Sequence, residues 1–296
     1  MVPDAEFTSY YGKPVLNQPV WEAPDIAGYL FLGGLAGASS LVGAGAEVLG
    51  QRELARAAKV GAAGAGGLSL VALVHDLGRP TRFLNMLRVF KVTSPMSVGS
   101  WVLAAYVPAA AVAAGTDVTD RLRAVGLVAT AGAAVLGPAV SSYTAALISD
   151  TAVPAWHDGY REMPFVFVGS GAMAAGGLGL VLAPVDQQDL PRWTAVLGSA
   201  TELVAAQLME RRLGMVAEPY STGRSGRRMK IGKALAVAGT AAALLGRGRR
   251  LPSAAGGAAL VASSAFTRFG IFEAGVASAN DPRYVLLPQR ERLDDR

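Results

Sequence analysis

The sequence predicts an all-α fold, a polytopic membrane bundle of eight transmembrane helices, and three observations predict it. Only 17% of the 296 residues are charged while 52% are hydrophobic, against roughly 25% charged in soluble domains. Residues 26–46, 92–116, 124–149 and 163–185 contain no Asp, Glu, Lys or Arg. Each of these runs reaches the roughly 17–25 residues that cross a bilayer's hydrocarbon core. The charges gather in the segments between them, where water and headgroups can solvate them.

The spacing predicts helices over 26–49, 55–77, 97–115, 123–148, 163–184, 192–213, 231–246 and 252–276. The first carries GGLAGAS at 33–39, in which Gly33 and Gly37 form a GxxxG pair that lets helix backbones approach closely. The second contains GAAGAGG at 61–67 and closes on His75 and Asp76, where Gly78 and Pro80 stop it. The third is uncharged throughout, and the fourth contains Pro138, a candidate interruption. The fifth holds GSGAMAAGGLG at 169–179. That stretch matches a dinucleotide-binding pattern, but the pattern needs a strand before it, and here it lies inside an apolar span. The sixth carries Glu202 and the eighth Arg268, which dilute their hydropathy. The seventh is apolar only from Ala234 to Gly246, so Lys230 and Lys233 must snorkel to the interface.

This divides the chain into an N-terminal segment 1–25, a first four-helix half 26–150, a second half 151–277 and a tail 278–296. The first 25 residues include Asp4, Glu6, Lys13 and Asp25 and no apolar stretch, so the helix from Ile26 is expected to serve as its own insertion signal. An even helix count puts both termini on one side, here termed the N-side. That side carries 17 basic residues against 9 opposite. The positive-inside rule then predicts cytoplasmic termini and a multi-pass protein of the cell membrane.

Several functions are excluded. Without cysteine there is no disulfide, thiolate-held zinc or iron–sulfur cluster in this chain, and no metal site is expected. The arginines sit in short loops beside apolar spans, which argues for membrane lipid and against nucleic acid. Bis-histidine haem needs two histidines on facing spans. Only His75 and His157 exist, and His157 lies in the loop AWHDGYRE, so no haem is expected.

The most informative segment is HDLGRPTRFLNMLRVFKVTSPMSVGSW at 75–101. Phe83, Met86, Leu87 and Phe90 recur at helical spacing while Arg82, Arg88 and Lys91 fall on other faces. This predicts an amphipathic helix within the 78–96 loop, lying in the headgroup plane. It can anchor on anionic lipid, or it can be the docking surface for a partner. Asp25, Tyr29, His75, Asp76, Arg79, Ser141, Ser142 and Tyr143 all fall at N-side helix ends and can converge. Tyr and Ser supply hydrogen-bond donors; His and Asp exchange protons near neutral pH. The plainer readings are an interfacial-belt tyrosine, a capping histidine, and an aspartate paired with Arg79 or Arg82.

The loop DLGRPTRFLNMLRVFKVTSPMSVGSW, with GGLAGAS in the first helix and YTAALIS at 143–149, resembles the NrfD-type family, which includes the membrane subunit of polysulfide reductase. The spacing and helix count extend that resemblance over essentially the whole chain. It implies a quinone-binding membrane subunit without haem, taking menaquinone. Its implied partners are a ferredoxin-like iron–sulfur subunit and, through it, a molybdopterin catalytic subunit. The implied site is built from the start of the first helix, the end of the second and the end of the fourth. Tyr143, Ser142, Asp25, Tyr29 and Arg79 would bind quinone there. His75 and Asp76 would handle protons, and Arg82, Arg88 and Lys91 would receive the partner.

Glu202 and Arg268 are the remaining expensive residues, since a charge at mid-membrane costs about 2.5–3.5 kcal/mol on insertion scales. They read either as a mutual pair fixing helix packing or as a proton path. The rival function is a secondary transporter with these two as its substrate or ion site. Such proteins often show inverted repeats and broken midplane helices, and no repeat relates residues 1–150 to 151–296.

Overall fold

The computed structural model describes residues 15–17, 19–79 and 81–294; Lys13 and Pro80, which figure in the expectations above, lie outside them. All eight expected helices form: α1 (Ala23–Val48), α2 (Arg52–Asp76), α4 (Pro95–Thr119), α5 (Arg123–Ser149), α7 (Met163–Leu182), α8 (Asp189–Leu213), α10 (Gly223–Leu245) and α11 (Arg250–Asn280). Short helices α3 (Thr81–Met86), α6 (Pro154–His157) and α9 (Glu218–Ser221) join them, and α12 (Arg283–Asp294) follows. Among the described residues, six helices are long and apolar enough to cross a membrane: α1, α2, α4, α5, α7 and α11. The other two long helices, α8 and α10, are less apolar. The seventh expected helix starts at Gly223 rather than 231, taking in the basic run RSGRRMK.

Local chemistry sets the boundaries. Pro24 and Pro95 occupy first-turn positions, where a missing N–H costs nothing. The Ser94 hydroxyl caps α4 by accepting from the Ser97 N–H at 3.4 Å. Pro138 does not interrupt its helix, because α5 runs unbroken through it to Ser149. The amphipathic helix is shorter than expected. α3 ends at Met86, so Phe90 lies beyond it and packs edge-on against Trp101 at 6.2 Å. The Ser97 hydroxyl explains the early stop: it donates to the Val89 carbonyl and accepts from the Lys91 N–H, both at 3.0 Å, holding that stretch out of helical register.

The central element is α1, whose apolar window is 78% buried against 33% for α2 and α5. It packs on α2, α5, α7 and α11, so it joins the two halves. Small residues make this possible. A Cβ on Gly37 would overlap the Gly137 carbonyl of α5, and one on Gly137 would overlap Gly37 in return. One on Gly34 would come 3.0 Å from the Arg268 guanidinium and 3.7 Å from Gly171. The close-approach positions are thus Gly34 and Gly37, whereas Gly33 has more room. Overpacking a tight crossing costs about 1–3 kcal/mol. Gly37→Leu should therefore lower the yield of folded chain severalfold, measured as monodisperse protein extracted from membranes, while Gly28→Leu, with open space around it, should not. Equal yields from both would refute the crossing.

Candidate functional site

The N-side ends of α1, α2 and α5 meet. Asp25 stands in the first turn of α1, and its carboxylate lies 2.7 Å from Nδ1 of His75, near the end of α2. One turn further along α1, the buried Tyr29 sets its ring edge-on to that of Tyr143 on α5, with centroids 6.5 Å apart. The Tyr29 carbonyl also accepts from Ser69 Oγ of α2 at 3.2 Å. Asp76 accepts from the Glu22 N–H at 3.4 Å, which holds the entry of α1 against the exit of α2.

Tyr143 is the unusual member. Its hydroxyl is buried and has no hydrogen-bond partner in the protein. A buried donor left unmade costs about 1–3 kcal/mol, and buried polar groups are nearly always satisfied. The ring is held in place because α4 presents Gly99 to it, where any Cβ would overlap the ring.

The other expected residues divide. Ser142 donates to the Pro138 carbonyl of its own helix at 2.8 Å, so its hydroxyl is taken up within α5 rather than joining the tyrosines. Ser141 donates to the Gly34 carbonyl at 3.3 Å and so joins α5 to α1. Asp76 pairs with neither Arg79 nor Arg82. Arg82 donates instead to the Leu77 carbonyl at 3.1 Å. Arg79, Arg82, Arg88 and Lys91 are all exposed, giving a basic surface directly after the His75 end of α2.

A cavity of about 560 Å³ lies between the segment before α1 and the α5–α6 link. Its lining includes Leu16, Trp21, Val153 and Trp156, with Asn17 and Thr151 as polar members. Trp21 stacks on Trp156 at 5.9 Å. Tyr143, His75 and Asp76 are not among its lining residues.

In the second half, Glu202 and Arg268 are buried but do not form the direct pair considered from sequence. Glu202 accepts from the Thr267 hydroxyl at 2.7 Å. Arg268 donates to the Phe167 carbonyl at 2.6 Å and stacks on the Phe167 ring at 3.6 Å. One Glu202 oxygen and two Arg268 nitrogens have no partner in the protein.

Sequence reasoning missed a third group. Lys59, counted there only among the basic residues of the side opposite the termini, is buried within α2, and its ammonium lies 2.5 Å from Glu47 and 3.5 Å from Asp117. The signal was its helical spacing from Arg52 and Arg56, which extends α2 back past the first apolar residues. Outside the spans, Arg212 grips Glu162 at 2.5 Å and holds that carboxyl below its usual range.

These features define a membrane-embedded, all-helical protein whose polar groups collect at helix ends and at a few buried points. The chain belongs to the polysulphide reductase NrfD family, whose model matches residues 14–188. The match includes Asp25, Tyr29, the 75–101 loop and Tyr143, and stops before α8, short of the whole-chain resemblance expected. Glu202 and Arg268 lie beyond it. No curated protein matches the chain.

Proposed function

We propose that this chain is the quinone-binding membrane subunit of a multi-subunit oxidoreductase. It exchanges electrons between the quinone pool and an iron–sulfur partner of a molybdopterin-type enzyme. The observation that carries this reading is the Tyr143 hydroxyl, buried without a partner beside Tyr29 and one turn from the Asp25–His75 pair. A quinone carbonyl is the acceptor such a hydroxyl lacks. Bound there, the quinone supplies two-electron, two-proton chemistry. Tyr143 donates to the headgroup and Tyr29 bounds it. Asp25 orients His75, which moves protons between the headgroup and water, since its ring is largely exposed. Asp76 fixes the entry of α1, and Arg79 begins the basic surface on which Arg82, Arg88 and Lys91 receive the partner. Family membership supports iron–sulfur and molybdopterin partners. The charge count supports cytoplasmic termini in the cell membrane, with α8 and α10 completing eight crossings.

The test is direct. The purified chain should yield about one extractable quinone, menaquinone by mass, and its reduced-minus-oxidised spectrum should lack b-type haem bands. Tyr143→Phe should lower the quinone content. Haem bands from the isolated chain, or quinone content equal to that of detergent-matched controls, would overturn the reading.

A further inference from the structure

The less apolar helices α8 and α10 both run into cations at their N-side ends. Arg211 stands in the last turn of α8, and Arg227 and Lys230 stand early in α10. The two ends are level, because Lys233 of α10 reaches Glu210 of α8 at 2.7 Å. Arg211, Arg227 and Lys230 are exposed and, among the described residues, make no hydrogen bond, ion pair or ring contact. The carboxylates near them are taken. Lys233 holds Glu210, and Arg228 holds Glu273 of α11 at 3.3 Å, with Arg224 at 4.0 Å from the same group. Positive charge is therefore left over on both helices. On α10 it also opposes the helix dipole, which favours anions at an N-terminal end, and no acidic residue stands in that helix's first turn.

These cations head stripes of apolar side chains that no part of the chain covers. On α10, Ala234, Val237, Ala238 and Ala241 continue the exposed face that begins with Arg227 and Lys230. On α8, Leu208, Val204 and Leu197 lie at helical spacing inward from Arg211, and each is more than half exposed. Lys230 and Ala241 are 11 residues apart, about 16 Å at 1.5 Å per residue. That is about half of a hydrocarbon core roughly 30 Å thick, the depth of one leaflet. The tight sides of both helices face elsewhere. A Cβ on Gly198 of α8 would overlap α7 at Met173, and one on Gly239 of α10 would come 2.9 Å from the Gly256 carbonyl of α11. Toward each other the two helices present polar side chains, the Lys233–Glu210 pair and a hydrogen bond of 2.9 Å from Thr240 to Ser199.

We propose that the N-side end of the α8–α10 pair is a binding site for a phospholipid that carries two phosphates. Arg211 takes one phosphate, Arg227 and Lys230 take the other, and the acyl chains lie along the two stripes. Basic residues between membrane helices on the cytoplasmic side suit such headgroups. A lipid fits better than an acidic protein because the cations and the apolar stripes are continuous: a lipid covers both, whereas a protein outside the bilayer covers only the cations. Two phosphates match free cations on two helices. The site lies beyond the family match at residues 14–188. It rests on α8 and α10 crossing the membrane, as proposed above, and not on quinone.

The experiment uses the full chain in vesicles of phosphatidylethanolamine with phosphatidylglycerol and cardiolipin. The chain is re-extracted in a neutral detergent and weighed intact by mass spectrometry, which counts the lipids that stay bound. Wild type should retain cardiolipin, with its two phosphates, in preference to phosphatidylglycerol, which has one. A Lys or Arg beside an anionic headgroup is worth about fivefold in affinity. Arg211→Gln, Arg227→Gln and Lys230→Gln together should therefore weaken cardiolipin retention about a hundredfold. Arg82→Gln, Arg88→Gln and Lys91→Gln together remove the same charge from the same face and should leave it unchanged. If the first triple variant does not elute as monodisperse as wild type, Arg227→Gln alone, with its fivefold loss, takes its place. Undiminished retention in the first triple, equal loss in both, or no preference for cardiolipin overturns the site. Release of partner subunits from the assembled complex by the first triple, with cardiolipin still bound, would give the patch to an acidic protein instead. Labelling of Asp186→Cys, Met215→Cys and Arg249→Cys with a membrane-impermeant thiol reagent separates the two readings, since the chain has no other cysteine. Met215→Cys should label from one side and the other two from the opposite side. That pattern without cardiolipin retention rejects the lipid site and leaves the crossings standing; labelling of all three from one side withdraws the crossings, and the site with them.

Discussion

His75→Ala is expected to lower quinol-dependent turnover of the assembled complex about a hundredfold, the low end of what a positioned acid–base group contributes. The motivation is geometric. His75 meets Asp25 at 2.7 Å while the rest of its ring faces water, which suits a group that carries protons between a buried headgroup and solvent. Asp25→Asn should cost less, since an amide oxygen still accepts from the ring but no longer balances its charge. Tyr143→Phe removes one hydrogen bond worth about 0.5–1.5 kcal/mol, roughly three- to tenfold in turnover. Asp76→Asn should have the smallest effect of these. Its oxygen accepts a backbone N–H from Glu22, and an amide does the same. The measurement is quinol oxidation in membranes, with blotting to show that partner subunits remain attached. Wild-type rates from His75→Ala with the complex intact would remove the histidine from the chemistry.

The ranking of His75 above Asp76 could not be read from sequence, where the two stood as equals. Both close α2, and only the path of the chain before α1 decides which carboxylate the imidazole meets. Much else was legible. Long uncharged runs have few fates other than membrane helices, so of the eight spans expected six are long and apolar enough to cross a membrane, and the small-residue stretches marked the close crossings. Two of the misses share a cause: hydropathy reports how a residue is solvated only when neighbouring helices do not supply the solvent. The burial of Lys59 went unseen because its partners, Glu47 and Asp117, come from two other helices. The charged first half of α10 read as a loop for the same reason. There Arg228 pairs with Glu273 of α11 at 3.3 Å, and further along, Lys233, expected inside the helix and snorkelling to the interface, pairs with Glu210 of α8 at 2.7 Å. The amphipathic helix was overextended because periodicity cannot see one serine hydroxyl, that of Ser97, capturing the backbone at Val89 and Lys91.

Arg268→Met should sharply reduce the amount of folded chain, and Glu202→Gln in the same protein should restore part of it. Arg268 is fully buried where α11 meets α7 and α1. Its guanidinium donates to the Phe167 carbonyl, stacks on the Phe167 ring, and has Gly34 of α1 against it. Methionine is close to it in length and packs without a charge, so the lost volume is small and the electrostatic loss dominates. The loss falls on Glu202, whose carboxylate is buried nearby with one oxygen unpartnered. Removing one member of a buried charge set costs about 3–5 kcal/mol, because the other is left uncompensated. At about 1.4 kcal/mol per tenfold, that is a loss of roughly 150-fold or more in the folding equilibrium. Glu202→Gln alone should cost little, because the amide oxygen still accepts from Thr267. It should also leave quinone binding unchanged, since Glu202 lies on a different helix set from Tyr143. The readout is the yield and melting temperature of detergent-solubilised chain for both single variants and the double. Recovery in the double variant would show that the arginine's structural task is to neutralise Glu202. No recovery would assign its contribution to the Phe167 contacts alone, and a fully stable Arg268→Met would refute both.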